Sequence, residues 1–213
     1  MTQNITVALL GGTGKTGSYL TYQLLSHGFK VRSLIRRPEV YPVSPTLMEV
    51  VKGDIKDPQT AHLLLQGCDV VISTIGQIKG ETLISSLATT NILCAMREFN
   101  IKRYILITGL TLDMPGDNKT EYIRQLTDYM KQTYPEIVAD KQSVAAILDK
   151  SDIDWTIVRL PYIETTDERW HPVVDLHDCP GGKISTTDLA YFLISQISDR
   201  QYIRKAPFIG SDR

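Results

Sequence analysis

Short runs of consecutive apolar residues alternate with segments of helical spacing along almost the whole chain. The apolar runs predict strands over residues 5–10, 30–35, 47–51, 69–73, 103–108, 155–159 and 206–209. Apolar positions three and four residues apart predict helices over residues 18–27, 60–66, 82–99, 138–148 and 187–197. Continuously apolar strands are buried on both faces, and their alternation with helices is typical of right-handed parallel crossovers. The pattern therefore predicts an α/β fold with a doubly wound parallel sheet, in a single domain over residues 1–213.

Two long segments that show neither pattern, residues 110–120 and 162–183, come after predicted strands. Ligands of open α/β sheets bind outside the carboxyl ends of the strands. Long loops at that edge of a sheet are more often functional than accidental. We therefore expect residues from about 160 to 183 to form a loop region on the substrate side of the sheet.

The composition narrows the class of ligand. The 213 residues include 23 basic and 24 acidic side chains, for a net charge of −1. This balance provides no basic surface for nucleic acid or an anionic membrane. The first residues lack a basic segment followed by an apolar one, and no apolar stretch approaches the roughly 20 residues of a membrane span. We expect a cytoplasmic protein with a small-molecule substrate and neither nucleic-acid nor membrane partners; the oligomeric state stays open.

The three cysteines are candidates for a redox site, and one polar loop is a candidate for a metal site. Neither a disulfide framework nor a C-x-x-C pair is present, because the three cysteines lie far apart. One loop collects several residue types that bind metals, but their spacing matches no known arrangement of zinc ligands. These loop residues are His171, Asp175, His177, Asp178 and Cys179. No metal is expected.

A glycine-rich turn follows the first predicted strand and opens the first helix. Gly11, Gly14 and Gly17 form the pattern G-x-x-G-x-x-G. Glycine permits the tight turn, lets a diphosphate approach the backbone, and lets the helix lie close to the sheet. The diphosphate would meet the free N–H groups and the positive dipole end of the helix. The strand–turn–helix context supports dinucleotide binding over a merely structural turn, with Thr13 and Thr16 beside the glycines in the site.

A nucleoside-triphosphate loop is the alternative interpretation, because Gly14, Lys15 and Thr16 spell G-K-T. That motif requires its first glycine at position 9. Position 9 is Leu9, inside the predicted strand, so the spacing excludes the alternative. Lys15 is then either a solvated residue of the turn or a secondary contact to the phosphates.

The end of the second strand indicates which dinucleotide is bound. In proteins that bind NAD, an acidic residue there accepts hydrogen bonds from the adenosine ribose. This chain instead has Arg36 and Arg37, whose guanidinium groups suit the 2′-phosphate of NADP, and no carboxylate at that spot. Two ordinary surface arginines are the alternative. After the third strand, Asp54 and the backbone N–H of Ile55 are candidate contacts to adenine, although a solvated loop aspartate fits Asp54 equally well.

Taken together, these motifs resemble a known family. The matching segments, in chain order, are GGTGKTG, the RR after the second strand, VVKGDIKD, DVVISTIG, RYILITG, DKQSVAAILDKSDIDWTIVRLP and KISTTDLAYFLI. They resemble the atypical short-chain dehydrogenase/reductases, especially the branch of NmrA-like and biliverdin/flavin-reductase-B-like proteins. The resemblance implies a Rossmann-type core, an NADP(H) site and a small C-terminal substrate region. It also implies that Thr74, Ile75 and Gly76 line the cofactor and that Pro161 flanks the nicotinamide.

The same resemblance implies two catalytic positions. Thr108 stands where the family has its catalytic Ser or Thr, and its hydroxyl is suited to donate to a substrate carbonyl. Lys141 stands at the lysine of the family's Tyr-x-x-x-Lys motif, as counted back from Ser151, and would bridge the ribose hydroxyls of the nicotinamide. The alternatives are a β-branched strand terminus for Thr108 and a solvated helix lysine for Lys141.

The chain departs from this motif at one position. The tyrosine four residues before Lys141 is the family's acid and base, and Ile137 stands in its place. Isoleucine cannot transfer a proton. The proton must then come from water, from the substrate, or from another side chain such as Tyr162 or Tyr134.

Two functional hypotheses follow. The leading one is an NADP(H)-dependent oxidoreductase that reduces a small, flavin- or quinone-like molecule, with Tyr162, Trp170 and His171 either covering a flat substrate or forming the core of their own loop. The second is a non-catalytic NADP(H)-binding redox sensor of the NmrA-like type, which the missing tyrosine favours. An epimerase or dehydratase is disfavoured, because those reactions need the tyrosine.

Overall fold

A parallel sheet with helices on both faces forms the body of the computed structural model, which describes residues 4–40, 48–78 and 80–212. The strands are β1 (Thr6–Leu10), β2 (Lys30–Ile35), β3 (Glu49–Lys52), β4 (Val70–Ser73), β5 (Arg103–Gly109), β6 (Asp154–Leu160), β7 (Tyr162–Glu164), β8 (Val173–Asp175), β9 (Lys183–Ser185) and β10 (Phe208–Gly210). The helices are α1 (Lys15–Ser26), α2 (Pro58–Leu65), α3 (Ser85–Glu98), α4 (Glu121–Thr133), α5 (Pro135–Asp149) and α6 (Thr186–Ser195), with a 3-10 turn at Pro38–Val40.

The strand order in the described sheet is β3-β2-β1-β4-β5-β6-β10-β8. Neighbouring strands are parallel except for β10 and β8, and β7 pairs with β9 in a separate parallel ribbon. The chain moves outward from β1 to β3 and then returns to β4, so the order reverses between β1 and β4. The prediction of a Rossmann-type doubly wound sheet is confirmed. A ligand cleft is expected at this reversal point.

The continuous apolar runs have a direct structural cause. Successive residues of β1 enter opposite faces of the sheet: Ala8 and Leu10 belong to one buried cluster, and Val7 and Leu9 belong to the other. The first cluster packs under α2, α3 and α5, and the second packs under α1 and α6. Because both faces are covered, both must be apolar.

Several element boundaries differ from the sequence-based prediction. Helix α1 begins at Lys15 rather than at residue 18, because its first turn is the glycine turn itself. Helix α4 was not predicted, although Ile123, Leu126 and Met130 stand at helical spacing; of its 13 residues only Ile123 and Thr127 are buried. Within the segment predicted to be irregular, residues 162–183, short strands form. The predicted third strand included Leu47, which lies outside the described residues.

A buried ionic network fixes the segment of residues 110–120. Arg159, which is 1% exposed, donates to both carboxylate oxygens of Asp117 at 2.7 Å. Lys119 donates to the carbonyl oxygens of Leu110 and Leu112 at 2.9 and 3.0 Å. Buried charges are tolerated when they are paired and fully hydrogen-bonded. This long loop is therefore held rigidly beside the carboxyl end of β5.

No helix in the described ranges is long and apolar enough to be a bilayer span. Across residues 4–40, 48–78 and 80–212, no group of three or more His, Cys, Asp or Glu side chains is placed to hold a metal ion. In the polar loop of residues 171–179, side chains bind groups of the protein itself. Asp175 accepts from the backbone N–H groups of His177 and Asp178 at 2.6 and 3.0 Å. His177 Nδ1 lies 2.8 Å from the carbonyl oxygen of Gly116.

Candidate functional site

A cavity of about 710 Å³ runs along the carboxyl ends of the parallel strands, on both sides of the reversal point between β1 and β4. Its volume lies in the range of small-molecule and cofactor pockets, roughly 300–1,000 Å³. The predicted site residues that line it are Gly11, Thr13, Gly14, Lys15, Thr16, Arg36, Arg37, Asp54, Ile55, Thr74, Ile75, Gly76, Thr108, Lys141 and Pro161. Of the described residues that were predicted, Gly17 and Tyr162 lie outside the lining.

The glycines of the turn have different structural roles. Gly11 has φ +79°, and a β-carbon there would lie 2.8 Å from Thr74 Oγ1. A β-carbon on Gly17 would overlap the carbonyl oxygen of Gly11. Gly17 therefore allows α1 to begin directly against the turn, although it does not itself face the cavity. Gly14 faces the cavity, and a β-carbon there would lie 3.3 Å from the Gly11 carbonyl oxygen.

The N-terminus of α1 is uncapped by any described side chain. Gly14 is its N-cap, no acidic residue lies in the first turn, and the N–H of Ser18 makes the first helical bond, to the Gly14 carbonyl at 2.9 Å. The N–H groups of Lys15, Thr16 and Gly17 are therefore free of helical partners. They lie at the positive end of the helix dipole, where anionic groups are stabilised.

Lys15 connects the glycine turn to the substrate side of the sheet. Its Nζ donates to the carbonyl oxygen of Ile163 in β7, and it lies 4.9 Å from the ring centroid of Tyr162. One interpretation of the sequence is that Lys15 is a solvated residue of the turn. These contacts show that it is not simply solvated. Tyr162 is 69% exposed and Tyr134 is 45% exposed at the end of α4. A role for either tyrosine as proton donor stays a prediction.

The arginines after β2 lie beside the cavity, but Arg36 already has a partner. Its Nη1 donates to the two carboxylate oxygens of Glu81 at 2.9 and 3.2 Å, and Glu81 also lines the cavity. The expectation that this spot lacks a carboxylate is therefore wrong. Glu81 follows β4, 45 residues further along the chain, and sequence position gave no sign of the contact.

Asp54 and Ile55, the candidate contacts to adenine, already use some of their hydrogen-bonding groups within the protein. Asp54 Oδ1 accepts from the N–H of Lys56 at 3.0 Å, which closes the turn before α2. The carbonyl oxygen of Ile55 accepts from Asn91 Nδ2 at 2.8 Å. Both residues still line the cavity.

Thr108 and Lys141, whose side-chain polar groups have no partner among the described residues, line the cavity at the carboxyl end of β5. Thr108 Oγ1 is buried and has no hydrogen-bond partner among the described residues. Within the same described ranges, Lys141 makes no hydrogen bond or ion pair, and its Nζ lies 3.9 Å from where a β-carbon on Gly109 would be. Burial lowers the pKa of Lys141 below its usual value, while the Asp140 carboxylate opposes that shift. Uncompensated polar groups of this kind are costly in a purely structural role, which favours a ligand as their partner.

Asp140 itself has a role that the sequence did not reveal. It accepts from the backbone N–H groups of Ser85 and Ser86 at 2.9 and 3.1 Å, so a carboxylate of α5 caps α3. These two hydrogen bonds hold α3 and α5 together beside the end of β5. Lys141, the next residue along α5, is thereby held at the cavity wall.

The aromatic residues of the substrate-side loop are tied into that loop. Trp170 Nε1 donates to Glu168 at 2.9 Å, and Lys183 Nζ lies 5.0 Å from the ring centroid of Trp170. His171 has φ +54°. Neither Trp170 nor His171 is among the described residues that line the cavity, which favours the interpretation of these rings as the loop's own core.

Comparison with known proteins identifies a family and several similar folds. The NAD(P)H-binding family model matches residues 11–200. A 3-beta-hydroxysteroid dehydrogenase of Mycolicibacterium neoaurum is 27% identical over 154 residues, which cover 63% of this chain and 41% of the relative. Protein TIC 62 of Arabidopsis thaliana, a chloroplastic protein, is 23% identical over 92% of this chain and 34% of the relative. The chain spans from 17% to 57% of the length of curated relatives of this kind.

Solved structures with similar folds cover nearly the full chain. An anaerobilin reductase, ChuY, from Escherichia coli O157:H7 has a TM-score of 0.80 and 18% identity, with 97% of each chain covered. A short-chain dehydrogenase/reductase from Veillonella parvula, in complex with NADP, has a TM-score of 0.77 and 17% identity, with 98% of this chain and 95% of that chain covered. At this identity the likeness shows the fold.

Proposed function

The chain belongs to the NAD(P)H-binding family, and from that premise we propose that it is an NADP(H)-dependent oxidoreductase that reduces a small, flavin- or quinone-like molecule. The predicted resemblance to Rossmann-type dehydrogenase/reductases is confirmed. We also propose that the protein prefers NADP(H) to NAD(H), that its substrate is of this class, and that it is cytoplasmic.

One observation carries the proposal: the uncapped N-terminus of α1 and the partnerless hydroxyl of Thr108 line the same cavity. The first group of donors suits a diphosphate. The second is an uncommitted donor at the carboxyl end of a parallel strand, where ligands of this fold bind. Because both border one cavity of cofactor size, the residues present fit a dinucleotide.

Each end of the cavity has a distinct task in the proposed reaction. When bound, the nicotinamide supplies a hydride. The backbone N–H groups of Lys15 and Thr16 hold the diphosphate, and Lys141 binds the ribose hydroxyls next to the nicotinamide. Thr108 donates a hydrogen bond to the substrate's carbonyl oxygen and stabilises the negative charge that develops there. Pro161 and Ile75 form apolar walls that orient the ring.

The proton that accompanies reduction does not come from position 137, since that residue is isoleucine. Water entering the open cavity, or the exposed hydroxyl of Tyr162, is the proposed source. A flavin- or quinone-like substrate suits this arrangement because its reduced form can take its proton from solvent after hydride transfer.

The test is NADPH oxidation followed at steady state with a panel of flavins and quinones, together with calorimetric titration of the protein with NADPH. We expect micromolar or tighter binding and turnover of at least one acceptor. Absence of heat with both NADPH and NADH would overturn the proposal entirely.

Tight binding without turnover would instead favour the second candidate, a redox sensor that binds NADP(H) and signals to a partner. Ile137 is the observation that favours it, because the family's acid/base is missing. Under that hypothesis NADP⁺ and NADPH should bind with clearly different affinities. Turnover of a flavin or quinone acceptor would instead favour the oxidoreductase.

Replacing both Arg36 and Arg37 by Ala should weaken NADPH binding about tenfold, because charge-assisted bonds to the 2′-phosphate are lost. NADH, which lacks that phosphate, should change by less than about twofold. Calorimetry with both nucleotides provides the comparison, with Arg124→Ala, an exposed arginine of α4 outside the cavity lining, as the matched control. Equal losses for both nucleotides would contradict the preference for NADP(H).

A further inference from the structure

The Arg36–Glu81 ion pair stands where the preference between NADP(H) and NAD(H) is set. We propose that Glu81 is a specificity-determining residue: its carboxylate competes with the 2′-phosphate for the Arg36 guanidinium and weakens the chain's preference for NADP(H). This inference rests on the proposed function, because it concerns the adenosine end of the same cofactor site.

The contact has the geometry of a specific pair. Arg36 Nη1 reaches both oxygens of the Glu81 carboxylate, at 2.9 and 3.2 Å. The two side chains are 45% and 39% exposed, so neither is locked in the core and the pair can open. Both residues line the cavity. The carboxylate therefore already engages Nη1, one of the guanidinium donors that a phosphate would use.

The backbone N–H and carbonyl groups of Glu81 both make hydrogen bonds. The side-chain amide of Gln77 donates to the carbonyl oxygens of Ile78 and Glu81 at 3.0 and 2.9 Å. The N–H of Glu81 donates to the Ile78 carbonyl oxygen at 3.1 Å. These bonds connect Glu81 to Gln77 and Ile78, which follow β4.

The charges around the pair decide the sign of its effect. Arg37 and Lys56 also line this end of the cavity, together with the carboxylate of Asp54. A 2′-phosphate carries close to two negative charges at neutral pH. To reach Arg36 it must displace Glu81 or accept the repulsion of a neighbouring carboxylate, whereas the ribose hydroxyls of NAD(H) carry no charge. Glu81 therefore penalises NADP(H) and leaves NAD(H) almost unaffected.

The experiment is calorimetric titration of wild type and Glu81→Gln with NADPH and with NADH, at low ionic strength. An exposed ion pair contributes up to about 1 kcal/mol, so the dissociation constant for NADPH should fall about two- to fivefold in the variant. The constant for NADH should stay within about twofold. The gain should shrink as salt is raised, because the competing charges are exposed.

Two controls make the result specific. Glu121→Gln removes an exposed carboxylate that pairs with Arg124 outside the cavity lining, and it should leave both constants unchanged. In the background of Arg36→Ala, Glu81→Gln should lose at least half of its effect, as a double-mutant cycle requires of a coupled pair.

Unchanged NADPH binding in Glu81→Gln would overturn the proposal, and so would a loss of NADH binding alone, which would make Glu81 a ribose ligand. Either result would leave the proposed oxidoreductase intact, because wild-type binding and turnover test that separately. Failure of the wild-type protein to bind either nucleotide would overturn both.

Discussion

Gly14→Asp should remove dinucleotide binding while leaving helix α1 at least as stable as in the wild type. Gly14 has φ −79° and ψ 174°, the extended conformation of an N-cap residue, so aspartate fits these dihedral angles once the Gly11 carbonyl oxygen, 3.3 Å from the new β-carbon, shifts slightly. Its carboxylate would accept from the free N–H groups of Thr16 or Gly17, which aspartate commonly does at this position. The same groups are proposed to hold the diphosphate. Capping the helix internally therefore excludes the ligand.

The expected loss of affinity is about 100-fold or more, or roughly 2.7 kcal/mol, because a carboxylate some 4 Å from a diphosphate repels it by about 1–4 kcal/mol and also occupies its donors. NADPH and NADH should lose equally, since the diphosphate is common to both. Calorimetry gives the affinities, and the midpoint of thermal unfolding, measured without nucleotide, gives the stability.

Gly14→Asn separates charge from bulk. Asparagine caps helices about as well as aspartate and has nearly the same shape, but it carries no charge. Its affinity should fall between those of the wild type and Gly14→Asp. If Gly14→Asp folds normally and binds NADPH as tightly as the wild type, the diphosphate does not lie at the mouth of α1, and the cofactor site proposed here is wrong.

The parts of the site that were predictable lie at the ends of strands. Once the apolar run before Gly11 is identified as a parallel strand, the turn that follows must lie at the ligand edge of the sheet. The same reasoning places Arg36 after β2, Thr74 after β4 and Thr108 in β5, and all of them line one cavity. The apolar periodicity and the order of the strands therefore predict which residues lie at the ligand edge, because both follow from burial on two faces of a sheet.

The unpredicted parts depend on tertiary contacts or on weak patterns. Glu81 meets Arg36 across 45 residues of sequence, and Asp140 caps α3 from a different helix across 55. Helix α4 is different, because its apolar residues do recur at helical spacing and the helix could have been predicted. The ribbon of β7 and β9 consists of three-residue strands, which are too short for alternation to be distinguished from chance. The two side-chain contacts and the ribbon leave no local signature, whereas α4 does.

Thr108→Val should lower the catalytic rate constant by about 100- to 1,000-fold, the range observed when a single hydrogen-bond donor to a developing negative charge is removed. Valine has nearly the shape of threonine and equal preference for a strand. The hydroxyl is buried and unpaired in the described structure, so its removal takes away a buried polar group without breaking a bond. Stability should therefore stay the same or rise.

Thr108→Ser and Ser211→Ala complete the test. Serine restores a donor and should recover most of the rate, whereas a residue that acts only through packing would not be rescued by the smaller side chain. Ser211 Oγ is also buried and has no partner among the residues described, but Ser211 lies outside the cavity lining, so Ser211→Ala should keep full activity. Turnover is measured with the acceptor that the wild type reduces fastest, and NADPH affinity is measured separately. A Thr108→Val protein with wild-type turnover would exclude hydrogen-bond donation by Thr108. The reduction would then depend on positioning of the substrate and nicotinamide alone, and Lys141 would be the remaining partnerless donor identified at the end of β5.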